Sequence, residues 1–136
     1  MTTHSSSPKA MRIASVITAV NVMVAGGFSI AGLISPASIL PANCIPTQAS
    51  SIFAMYAAAR TIPLAVITMV AIFKRSPSAL LILGTLAGVI QVLDCMVGMV
   101  QHDPGKIFGP LVIATLQFYA VATLKRSAGF FFTPTQ

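Results

Sequence analysis

Apolar residues fall into four long blocks, Met11 to Ile34, Ser51 to Phe73, Ser78 to Val100 and Ile107 to Leu124, broken by polar or proline-bearing stretches. At 18 to 24 residues, each block matches the roughly 20 residues that a helix needs to cross a hydrocarbon core of about 30 Å. Backbone groups in hydrocarbon must bond to one another within the protein, and the blocks exceed the length of tilted barrel strands, so the pattern predicts helices. The interruptions are punctuators of the expected kind: Ser35-Pro36 and Pro41 through Pro46, then Lys74-Arg75-Ser76-Pro77, then His102-Asp103-Pro104-Gly105. The last two are short, which makes the second and third spans, and the third and fourth, antiparallel neighbours. The predicted fold is all-α, a four-helix transmembrane bundle forming one domain over residues 11–126. Residues 1–10 read as a disordered Ser/Thr-rich tail, and residues 127–136 as a short tail with Gly129 to Phe132 as an interfacial anchor.

Composition agrees. A chain with 56% hydrophobic and only 7% charged residues cannot dress the surface of an ordinary soluble domain. The charges that remain are placed asymmetrically. Six of the eight basic residues (Lys9, Arg12, Lys74, Arg75, Lys125 and Arg126) flank the spans on one side; Lys106 is on the other and Arg60 lies inside a span. That split predicts cytoplasmic N and C termini in a multi-pass integral protein. It also accounts for the net charge of +6: the basic side chains set topology beside anionic lipid, so the bilayer is the partner and nucleic acid is not. Lys9 and Arg12 also resemble the charged region of a signal peptide, but the run from Ile13 to Ile34 is longer than such a segment needs and reads as a retained helix.

Two charges stand out against this pattern. Arg60 and Asp94 each sit near the middle of a span, where a charge is costly unless paired or wetted and commonly marks function or a structural lock. At about 1.5 Å per residue, Arg60 lies about 15 Å and Asp94 about 10 Å below the outer ends of their spans, an offset of one turn. Tyr56, one turn outward of Arg60, is level with Asp94. Asn21, Gln91 and Gln117 fall at similar depth, so every span contributes to an expected polar layer of Arg60, Asp94, Tyr56, Gln91, Asn21 and Gln117. Pro63 adds an unbonded carbonyl at Ala59. Small residues mark where helices approach: Gly26, Gly27 and Gly32, then Ala57 to Ala59, then Gly84, Gly88 and Gly98, with close packing expected and dimerisation through Gly84 and Gly88 as the alternative.

Three readings of the layer are open. The first is a structural or partner-associated bundle locked by a buried Arg60/Asp94 ion pair. The second is a site that binds or transforms a lipophilic carbonyl, epoxide or quinone in a cleft gripped by Met23, Met55, Met96 and Met99. The third is a proton-coupled transporter using Asp94, which requires the pair to open during its cycle. Whether the chain is an enzyme is left open. His102 is too far along its helix to exchange protons with Asp94. His102 and Asp103 make at most two metal ligands, with His4 on the other side, so no metal site is assigned. Cys95 reads as a packed thiol, with a bridge to Cys44 as the alternative. The two hairpins show no repeat, and a homo-oligomer or membrane complex is an open partner.

The segment Tyr56-Ala-Ala-Ala-Arg60-Thr-Ile-Pro63, the Lys74-Arg75 turn and Gln91-Val-Leu-Asp94 before a short loop together resemble the small four-helix membrane proteins grouped with the DoxX-like families. The resemblance covers roughly residues 50 to 124. It implies a compact bundle of mostly uncharacterised kind and, since some DoxX-type proteins are associated with membrane oxidoreductase or quinol-oxidising systems, a partner complex. No haem, flavin or iron-sulfur motif accompanies it, and no cofactor is assigned.

Overall fold

A computed structural model describes residues 7–41 and 44–128. These residues form four α-helices, α1 Pro8–Ile34, α2 Gln48–Phe73, α3 Pro77–Val100 and α4 Pro104–Ser127, with one 3-10 turn at Pro36–Ser38. All four α-helices are long and apolar enough to span a membrane. His4, most of the N-terminal tail and the segment from Gly129 to Phe132 lie outside the described residues.

The helices run up to one turn beyond the apolar blocks, their first turns opened by a proline in α1, α3 and α4 and by side-chain caps in α2 and α4. Pro8, Pro77 and Pro104 stand in the first turn of α1, α3 and α4, where a missing N–H costs nothing. Thr47 opens α2 with a reciprocal box: the Ser50 amide donates to Thr47 Oγ1 at 3.2 Å, and the Thr47 amide to Ser50 Oγ at 2.9 Å. Asp103 caps α4 by accepting from the amides of Gly105 and Lys106 at 3.0 and 3.4 Å.

The α2–α3 and α3–α4 turns share one construction. Ser76 donates its amide to the Ala71 carbonyl and Arg75 to Ile72; in the same register, Asp103 donates to Gly98 and His102 to Met99. Both are Schellman closures, whose left-handed position glycine usually holds. Here Arg75 and His102 hold it, with φ of 49° and 51°.

Packing then departs from the expectation that α2 and α3 lie side by side. α1 is the hub, touching all three other helices; α3 packs most extensively on α4, α2 leans on α1, and α2 meets α3 only sparingly. The cause is where small residues lie. Gly84, Gly88 and Gly98 recur along one stripe of α3 and meet α4. A β-carbon at Gly84 would approach Gln117 Nε2 to 2.8 Å, and one at Gly88 would approach the Phe118 ring to 3.0 Å. That stripe is consumed inside the bundle, as close approach of membrane helices requires. On α2 the buried residues Ala54, Ala58, Thr68 and Ala71 give the helix its own small-residue face. Gly26 and Gly27, by contrast, have open space around them and mark no close contact.

The result is a bundle whose two halves differ. At the end carrying the basic residues, Met11, Ala14, Leu80, Ala120 and Leu124 form a filled core. The opposite half, where α2 and α3 part, is open.

Candidate functional site

The boundary between the two halves is a chain of buried amides. Gln91 Nε2 on α3 donates to Asn21 Oδ1 on α1 at 2.7 Å, Asn21 Nδ2 donates to Gln117 Oε1 on α4 at 3.1 Å, and Gln117 Nε2 donates to Thr18 Oγ1 on α1 at 2.9 Å. Asn21, Gln91 and Gln117 are 2%, 3% and 0% exposed. Each amide has one donating and one accepting end, so each bond fixes the orientation of the next. The chain ties α1, α3 and α4 together where no water competes. Thr18 is the member that the sequence pattern missed. Its signal was present, since it lies one turn before Asn21 on the same face of α1.

Above this floor lies a cavity of about 880 Å³ in the half of the bundle away from the basic residues, between α2 and α3 and backed by α1 and α4. Its size is within the range of small-molecule sites, about 300 to 1,000 Å³. Small side chains create it: Ala25, Ala54, Ala57, Ala87, Gly98 and Gly109 all face it, leaving volume that longer residues would fill. Val22, Phe28, Leu64, Ile90 and Ile113 make most of the remaining wall apolar. On α3 the cavity is lined by Ala87, Ile90, Gln91, Asp94, Val97 and Gly98, continued by the C-cap residue Gln101, a recurrence every three to four positions that keeps one face of a helix in line. Asp94 is at the centre of that face.

The mouth is organised by Lys106. Its Nζ donates to the Ile39 carbonyl at 3.0 Å and to Gln101 Oε1 at 2.8 Å, and lies 3.5 Å from Asp103 Oδ2. One ammonium therefore pins the loop after α1 to the α3–α4 turn. The sequence position of Lys106 places it only on one side of the spans. Asp103 is engaged in the α4 cap and in this ion pair.

The expected Arg60/Asp94 centre is not formed. Arg60 and Asp94 are both exposed, and the ion pair found among the described residues is Lys106 with Asp103. Tyr56 is 60% exposed and makes no hydrogen bond to Asp94 among the described residues. Matched depth is not enough when the helices diverge: Asp94 faces the cavity, whereas Arg60 and Tyr56 are on α2 to one side of its lining residues Ala57, Thr61 and Leu64. The methionine grip is corrected in the same way. Met23, Met55, Met96 and Met99 are exposed and none lines the cavity, because each projects from the side of its helix opposite the lining stripe. Of the six residues read from sequence, Asn21, Gln91 and Gln117 meet, Asp94 stands on the cavity wall, and Arg60 and Tyr56 stand apart. Cys44 is exposed and Cys95 buried, and both are free thiols.

Fold and site together define a multi-pass integral membrane protein, a four-helix bundle open in the half away from its basic residues. No protein-family profile, curated protein or solved structure matches the chain. The resemblance to DoxX-like bundles accordingly has no support from these comparisons.

Proposed function

We propose that this protein binds a lipophilic small molecule within the membrane, in the cavity between α2 and α3. The observation that carries this reading is the combination of a cavity of about 880 Å³ with walls that are apolar except at a few placed polar groups, the usual composition of a ligand site. Close packing is the rule in protein interiors, and the inner half of this bundle obeys it. The opposite half departs from it, with its cavity between α2 and α3. The amide chain gives the site a rigid floor that does not depend on a ligand for its hydrogen bonds.

A lock made of Arg60 and Asp94 is less well supported, since the two side chains do not meet. Transport is less well supported too: Met11, Ala14, Leu80, Ala120 and Leu124 pack together on the basic side of the amide chain. The basic residues support an orientation with both termini cytoplasmic, which puts the cavity in the outer leaflet.

The test is a thermal-shift screen of detergent-solubilised protein against lipophilic amines, alcohols, carbonyls and quinones. A binder stabilises the folded state by mass action, by about 2.7 kcal/mol at a hundred times its Kd, and so raises the melting temperature. Ala57→Phe, which fills cavity space from an exposed position, is expected to fold and to lose the response. A screen with no response, or a response that survives Ala57→Phe, would overturn the reading.

A further inference from the structure

We propose that the ligand is a lipophilic cation with N–H groups, an alkylammonium, whose charge pairs with Asp94 and whose tail fills the apolar wall; this rests on the cavity being a binding site. Three observations converge. First, Asp94 is a carboxylate on the cavity wall with no cation bonded to it among the described residues. An intramembrane charge without a protein partner calls for one from elsewhere.

Second, the other charges that line the cavity cancel. Lys106 and Asp103 form their own ion pair, and the Lys106 ammonium also holds the Ile39 carbonyl and Gln101 Oε1. Asp94 therefore sets the sign of the site.

Third, the floor presents an acceptor. Gln91 spends its amide N–H on Asn21, and its Oε1 has no bond among the described residues. No fully buried side-chain oxygen or nitrogen among these residues lacks a partner, so Gln91 Oε1 is not wholly enclosed, and Gln91 is a lining residue of the cavity. Gln91 and Asp94 are three residues apart on one helix and hence neighbours on its surface. Two acceptors side by side, one of them anionic, fit an ammonium that can donate to both. They do not fit a carboxylate or a quinone, which bring acceptors of their own.

The experiment measures binding of dodecylammonium, dodecanol and laurate to the full chain in zwitterionic nanodiscs, with empty nanodiscs as the partition baseline. Dodecylammonium is expected to bind at least tenfold tighter than dodecanol, with laurate weakest. Asp94→Asn should erase the preference for amine over alcohol, with an unchanged helical circular-dichroism spectrum in the same nanodiscs showing that the variant is folded. Gln91→Met should reduce the preference partially. Tetraphenylphosphonium, a cation without N–H groups, should bind through Asp94 but be indifferent to Gln91→Met. If dodecanol or laurate binds as well as the amine and Ala57→Phe still abolishes binding, the cavity is a ligand site and the cation assignment is wrong. If none of the probes binds above the baseline, both readings fall.

Discussion

Gly98 on α3 is seated against the carbonyl of Lys106 in the first turn of α4, so closely that a β-carbon on Gly98 would drive into that oxygen. Pro110 sits four residues after Lys106 inside α4 and has no N–H to give, so the Lys106 carbonyl lacks its usual helical donor. The glycine lets the α3 backbone reach a carbonyl that the proline has freed, where a Cα–H contact of the weak kind common between helices can form. The same close approach sets the turn that holds Lys106 over the cavity mouth.

Gly98→Ala should therefore destabilise the protein by about 1 to 3 kcal/mol, the usual range for overpacking a tight contact. Gly26→Ala, made where nothing lies within 4 Å, should be neutral or stabilising by up to about 1 kcal/mol through helix propensity. Reversible unfolding of both variants in mixed micelles checks this, and equal effects would show that the α3–α4 contact is looser than described.

The amide chain predicts coupling. Asn21→Leu strands Gln91 and Gln117 together, and should cost about 1 to 2 kcal/mol on the scale of intramembrane hydrogen bonds. Gln117→Leu should cost a similar amount, and the double variant should cost clearly less than the two single losses combined, because each change breaks the same bond. Thr18→Val, at the end of the chain, should be the mildest.

For Arg60 and Asp94 the expectation is the reverse. A cycle of Arg60→Gln, Asp94→Asn and the double variant should be additive within about 0.5 kcal/mol, as for groups that share no contact. A coupling above 1 kcal/mol would mean that the pair forms in the membrane.

His102 occupies a left-handed backbone position with φ of 51°, a conformation that costs a non-glycine residue about 1 to 2 kcal/mol. His102→Gly should raise stability by about 0.5 to 1 kcal/mol, after allowing for the greater freedom of glycine in the unfolded chain. Arg75→Gly should do the same at the other turn, at the loss of one topogenic charge. A fall in melting temperature for His102→Gly would show that its side chain has a role that the backbone geometry hides.

Orientation can be read from the native thiols. Cys44 is exposed in the segment between α1 and α2, and Cys95 is buried. A membrane-impermeant maleimide applied to intact cells should label Cys44 and not a cysteine introduced at Arg75. Labelling at Arg75 alone would invert the topology.

The sequence by itself determined the spans, because the hydrocarbon core tests each helix separately: enough apolar residues in a row suffice, whatever the helix packs against. For the same reason it located the polar residues in depth, and Asn21, Gln91 and Gln117 do share one level. What it could not determine was azimuth, the direction in which each side chain faces once helices choose partners. That choice belongs to pairs of surfaces. α3 spent its glycine stripe on α4, α2 leaned on α1, and the gap between them separated Arg60 from Asp94 while opening a cavity that no single stretch of chain encodes. Lys106 shows the same limit from the other direction: its depth was legible, but the Ile39 carbonyl, 67 residues away, becomes its partner only when the bundle closes.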